Sequence, residues 1–173
     1  MSRHDSAALP IAYVLLRILI VLNWLLAVAI LVLLLVAPNR EWIISALHLS
    51  PSADAERVIF GLRAIAVLGL VGVPLHYLIL KRLVAMVETV RDGDPFVAAN
   101  AERLLAIGWI LVVLQVMAIV IGLIADSIST PEHPVKIGAG FSLTGWLAVL
   151  LTFVLARVFA EGAVMREDLE GTV

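Results

Sequence analysis

Four stretches of the chain run without a single charged residue: 18–39, 64–80, 104–125 and 137–156. A helix at the surface of a soluble protein must wet one face, so polar groups break its apolar run every few residues. These runs approach or exceed the roughly 17–25 residues that carry a helix across a bilayer core. They set the class: an all-α integral membrane bundle of four transmembrane helices. Composition agrees. Hydrophobic residues make up 62% of the chain and charged residues 15%, against about 45–50% and about 25% in soluble proteins.

The runs place helices at about 10–36, 55–80, 101–125 and 136–162, with a link at 81–100 and a tail at 163–173, all in one membrane domain covering 1–173. The first run is longer than the roughly 7–15-residue apolar region of a signal peptide, and "LLLVAPNR" lacks an A-x-A cleavage pattern, so it reads as a retained anchor. The link continues helix 2 as an amphipathic extension. Leu83, Val84, Met86, Val87 and Val90 fall on one side of a helical wheel, and Lys81, Arg82, Glu88 and Thr89 on the other. "RDGDP" then ends it, because Asp-Gly and Asp-Pro break helices. "ADAERV" and "ANAERL" open helices 2 and 3 alike; an inverted two-helix repeat of the transporter kind would look like this, and the plainer reading is shared helix-start grammar with Asp54 or Asn100 as N-cap.

Arginine and lysine orient the bundle. Arg3, Lys81, Arg82, Arg91, Arg103, Arg157 and Arg166 fall on one side, and Arg40, Arg57 and Lys136 on the other. Seven against three places both termini and the middle link in the cytoplasm.

Several chemistries are excluded. The net charge is −2, so no basic field calls for a direct nucleic-acid partner. There is no cysteine, hence no disulfide, thiolate metal site or cysteine nucleophile. No G-x-S-x-G, phosphate-binding glycine loop or H-E-x-x-H pattern occurs, and no Asp or Glu lies inside the four runs. The expectation is a protein that is not an enzyme and holds no cofactor. His4, His48, His76 and His133 lie in different segments, so no metal site is expected.

Polar groups at bilayer depth each demand an account. Arg17 and Arg63 are long enough to snorkel to the interface; the sharper reading pairs Arg63 with Asp126. In helix 2, Gly61, Gly69 and Gly72 fall within about 80° of one another on the wheel, a face that admits a neighbouring helix. His76 shares that face and is expected to point into the bundle, either hydrogen-bonded to a neighbouring helix or to the backbone freed by Pro74, or acting as a proton-sensitive switch or ligand contact. In helix 4, Gly138, Ser142, Gly145, Thr152 and Ala156 form a second packing stripe. Asn23 and Gln115 read as interhelical hydrogen-bonding groups.

Two segments carry recognisable text: "GDPFVAANAERLLAIGW" (93–109) and "ARVFAEGAVMREDLEGTV" (156–173). They resemble domain-of-unknown-function family 2975 (DUF2975), small bacterial membrane proteins with four helices. The matching positions are Gly93, Pro95, Phe96, Asn100, Ala101, Arg103, Leu104, Ile107 and Gly108, then Val158, Phe159, Gly162, Arg166, Glu167, Asp168, Glu170, Gly171, Thr172 and Val173. The resemblance implies a multi-pass protein of the bacterial cytoplasmic (inner) membrane. It also implies a small cytoplasmic helix-turn-helix regulator as partner, because genes of the family stand beside one for such a protein.

The tail is compatible with that partner. Continued as a helix, Val158, Gly162, Met165 and Leu169 follow i, i+4, i+7, i+11 and make an apolar stripe, with Arg166 and Asp168 beside it. Such a stripe suits a partner's groove; a solvated helix end resting on the bundle or the membrane surface is the plainer alternative. Acids near a helix C-terminus oppose its dipole, so Glu167, Asp168 and Glu170 do not serve to stabilise that end. Two functions are therefore open beside contact with the lipid bilayer. One is a non-enzymatic regulatory or sensory membrane protein. The other is a small transporter, channel subunit or immunity protein against a membrane-active molecule, for which assembly into a homo-oligomer is left open.

Overall fold

The computed structural model describes residues 8–36, 53–129, 135 and 137–170. Among these residues the chain forms four helices: α1 (Ala8–Val36), α2 (Ala53–Arg91), α3 (Ala98–Ile128) and α4 (Leu143–Glu170). Each is long and apolar enough to cross a membrane. At 1.5 Å per residue, the 39 residues of α2 reach about 59 Å, roughly twice the hydrocarbon core. The amphipathic extension is therefore one continuous helix with the span.

The helices follow one another in space as they do in sequence: α1 packs on α2, α2 on α3, and α3 on α4, with no close backbone contact between other pairs among the described residues. Neighbours run antiparallel. The start of α1 meets the end of α2 through Tyr13 and Arg91. Gly61, early in α2, faces Ile124 and Ile128 late in α3. Gly108, early in α3, faces Phe153 in α4. One end of the molecule thus gathers the starts of α1 and α3 and the ends of α2 and α4. It carries Arg17, Arg82, Arg91, Arg103, Arg157 and Arg166, and is called the arginine-rich end below.

Among the described residues α1 packs against α2 alone, and Ala27 is its one buried residue. Its apolar side chains face outward, the pattern of a helix solvated by lipid. Trp24 packs against Tyr77 of α2 with ring centroids 5.7 Å apart. The Asn23 amide donates to the Val73 carbonyl at 3.1 Å, the interhelical bond expected of it. Bonds of this kind contribute about 0.6 kcal/mol in membrane proteins. Val73 directly precedes Pro74, whose missing N–H interrupts the ladder of α2.

Two helix starts differ from expectation. α3 begins after Val97, which caps it in extended conformation without a side-chain bond. Asn100 is not the cap but sits three residues inside, fully buried. α4 begins at Leu143 rather than 136, because Ser142 caps it: its Oγ accepts from the Gly145 N–H at 3.1 Å. The helix then runs on to Glu170, through the predicted tail.

Gly138 and Gly140 therefore lie outside the helix. The expected stripe is shortened rather than lost: Gly138 precedes the helix and Ser142 caps it, whereas Gly145 packs under Gln115 of α3 and Ala156 is buried. Gly138 has no atom within 4 Å of where a Cβ would sit. A second close approach, between backbones, is at Gly122 of α3, where an added Cβ would lie 2.8 Å from the Gly140 Cα.

Candidate docking site at the arginine-rich end

The turn from α2 to α3 is built by Asp92, Gly93, Asp94 and Pro95. Gly93 takes φ +86, the left-handed conformation that glycine adopts without steric cost. Its N–H donates to the Val90 carbonyl at 3.1 Å, and the Asp94 N–H donates to the Thr89 carbonyl at 2.9 Å. These two bonds are a Schellman motif, which satisfies carbonyls left over at the end of α2.

Asn100 locks the turn from beneath. Its Nδ2 donates to the Pro95 carbonyl at 2.9 Å and to Thr89 Oγ1 at 2.7 Å. Its Oδ1 accepts from Arg103 Nη1 at 2.7 Å. Thr89 in turn donates to the Met86 carbonyl at 2.8 Å. With no exposed surface, Asn100 is the buried polar residue among those described, and both ends of its amide are partnered.

The end of α4 closes over this turn. The Phe96 ring packs on Phe159 with centroids 5.3 Å apart. Gly162 lies beneath the same ring, where a Cβ would come within 2.7 Å of Phe96 Cδ1. Arg166 forms an ion pair with Asp94. The two segments that carry the family resemblance thus meet in space. Proximity of this kind leaves no trace in periodicity or charge counting. The signal that could have found it was the pairing of an unusual turn, "GDPF", with a small residue and an arginine spaced i, i+4 on α4.

The predicted stripe of α4 divides between two roles. Gly162 and Arg166 face the turn and brace the helix. Val158, Met165 and Leu169 stand 51%, 62% and 71% exposed, so the apolar surface of the stripe is open. Asp168 is exposed beside it. Arg157 pairs with Glu161 one turn on, at 2.8 Å, as their spacing predicts. A groove lined by Arg157, Ala160, Glu161, Val164 and Met165, about 480 Å³ in volume, runs along the outer side of the helix.

The other predicted site residues are dispersed. Arg63 and Asp126 are both exposed and form no ion pair with each other; Arg63 has another partner. Gly61 and Gly72 face α3 through Ile128 and Leu114, whereas Gly69 faces Ile30 of α1. The glycine face is thereby shared by two neighbours that make no close backbone contact with each other among the described residues. His76 lies between the two contacts and is exposed, so the expectation that it points into the bundle is corrected.

The His76 Nδ1 lies 2.8 Å from the Gly72 carbonyl, a group that can only accept, so this nitrogen carries the proton. Gln115 lies over Gly145, where an added Cβ would clash with its amide. No three His, Asp or Glu side chains come together among the described residues. His4, His48, His133, Arg3, Arg40, Lys136 and residues 171–173 lie outside the described residues.

Fold and site together define a multi-pass α-helical membrane protein whose last helix is clamped to the turn between its second and third. The chain belongs to the DUF2975 family, proteins of unknown function; the family model matches residues 37–173. The match takes in α2, α3, α4 and the whole clamp, and stops short of α1. No curated protein and no solved structure matches the chain.

Proposed function

We propose that this protein is a non-enzymatic regulatory or sensory component of the bacterial cytoplasmic membrane, with both termini in the cytoplasm. Its working part is the end of α4, a braced helical arm that docks a small cytoplasmic helix-turn-helix regulator. The observation that carries the reading is the division of labour on α4. Phe96 and Asp94 consume Gly162 and Arg166 to hold the helix in place, while Val158, Met165 and Leu169 are left exposed along one line. A rigid helix with an open apolar stripe binds a groove without first losing the entropy of ordering. The acids beside it lower the stability of their own helix end, which fits selection for a partner rather than for the fold.

The test is deletion of residues 165–173 in cells that carry the neighbouring regulator gene. The regulator should no longer co-purify with the membrane protein, and expression of its target genes should change. Recovery of the regulator at wild-type level from the deletion, with target expression unchanged, sinks the reading.

The second reading, a small transporter, channel subunit or immunity protein, has one observation in its favour. His76 is exposed on the face of α2 that lies between its contacts with α1 and α3, where assembly of protomers into a homo-oligomer would enclose it. A His76→Ala variant with unchanged flux or resistance removes that support.

A further inference from the structure

We infer that the α1–α2 corner of the arginine-rich end is a binding site for one anionic phospholipid. Two guanidinium groups from different helices converge on a single ring there. Arg17 of α1 lies with its Cζ 5.2 Å from the Tyr13 ring centroid, and Arg91 of α2 with its Cζ 5.4 Å from the same centroid. Arg17 also donates to the Tyr13 hydroxyl at 2.8 Å. Among the described residues neither arginine is paired with a carboxylate. The ring attracts both cations through its quadrupole, which does not neutralise their charge. Sharing one ring keeps the two guanidinium groups within about 11 Å of each other, and two like charges at that range favour an anion between or beside them.

What lies next to the pair decides which anion. A groove of about 340 Å³ starts at Tyr13 and Arg17 and continues along α1 over Val14, Ile18, Val21 and Leu22. These four side chains cover about 12 Å of helix at 1.5 Å per residue. They point away from α2 and are about half exposed. The site is thus charged at its mouth and apolar along its floor. A free phosphate uses only the mouth. A phospholipid uses both: its phosphate bridges Arg17 and Arg91, and an acyl chain lies along Val14, Ile18, Val21 and Leu22.

Tyr13 sits where interfacial aromatics sit, near the end of a span. Anionic lipid attracts basic groups at a membrane surface. The proposal is independent of the regulator on α4, because it concerns the opposite edge of the row of helices.

The experiment uses the full chain, purified in mild detergent and titrated with phosphatidylglycerol or phosphatidylcholine, with bound lipid counted by native mass spectrometry. The wild type should bind phosphatidylglycerol in preference. An R17Q/R91Q variant should bind it about 30-fold more weakly, the change that corresponds to about 1 kcal/mol for each arginine near an anionic surface. R157Q removes one positive charge from the same end, outside the site, and should bind as the wild type does. V21W fills the groove but keeps both arginines, and should also weaken binding.

Neither inorganic phosphate nor glycerophosphoglycerol should displace the lipid. If R17Q/R91Q binds phosphatidylglycerol as the wild type does, or R157Q loses as much, the site is not at this corner. If V21W has no effect, or inorganic phosphate competes fully, the occupant is not a lipid.

Discussion

Replacing Asn100 with alanine isolates what one buried amide contributes to the clamp. Three hydrogen bonds are lost, and they are unequal. The Pro95 carbonyl, accepting at 2.9 Å in a half-buried turn, loses its donor, which costs about 1–3 kcal/mol. The Thr89 hydroxyl keeps its own bond to the Met86 carbonyl, and half-buried Arg103 can turn to water. These two losses together add about 1 kcal/mol.

The total of about 2–4 kcal/mol falls on the turn rather than on the spans, and at 1.4 kcal/mol per factor of ten it makes the opened turn about 30- to 700-fold more populated. Amide hydrogen exchange on the full chain reads this at Gly93 and Asp94, whose N–H groups close the turn. Asn100→Asp should loosen the turn as well, since it cannot donate to Pro95 although it can still pair with Arg103. Arg103→Ala should change exchange by no more than about threefold. If Asn100→Ala also leaves exchange at Gly93 and Asp94 within about threefold of the wild type, the amide does not hold the turn and the reasoning is refuted.

Gly122→Ala should destabilise the protein by about 1–3 kcal/mol in a detergent melt, because the new methyl meets backbone that cannot swing aside. Gly72→Ala is its control: the nearest atoms are 3.9 Å away, and the helix should tolerate or gain up to about 1 kcal/mol from the better helix former. Arg166→Gln removes the ion pair with Asp94, but both side chains are more than a third exposed, so stability should fall by no more than about 1 kcal/mol. A spin label at position 169 should nevertheless become more mobile in that variant. Met165→Asp with Leu169→Asp should change the melt by less than about 0.5 kcal/mol, since both positions are exposed, and should still abolish recovery of the regulator.

The four spans were legible because an uncharged run of this length has few other fates. Their ends were not. Asn100 has the chemistry of an N-cap, yet burial under the turn gave its amide partners that a cap position could not supply. Ser142 was read as one element of a glycine stripe, but a serine with an amide three residues on is equally a cap, and the cap prevailed. The wheel of α2 placed Gly61, Gly69, Gly72 and His76 on one face correctly. It could not say that two separate helices would share that face, and so it could not foresee that His76 would stay exposed between them. The clamp was the least legible part, because Asp94 and Arg166 are 72 positions apart and neither periodicity nor charge counting links so distant a pair. The resemblance to a known family did single out both of its halves.

The central claim is that the apolar stripe of α4 changes its partner along its length, from lipid to protein. Leu151 and Leu169 are both exposed and stand 18 residues apart, which is five full turns at 3.6 residues per turn, so they share one face. A photoreactive residue placed at each position in turn, in native membranes with the regulator present, compares the two directly. The account predicts lipid adducts from position 151 and a helix-turn-helix protein adduct from position 169. Lipid adducts from both positions would contradict it.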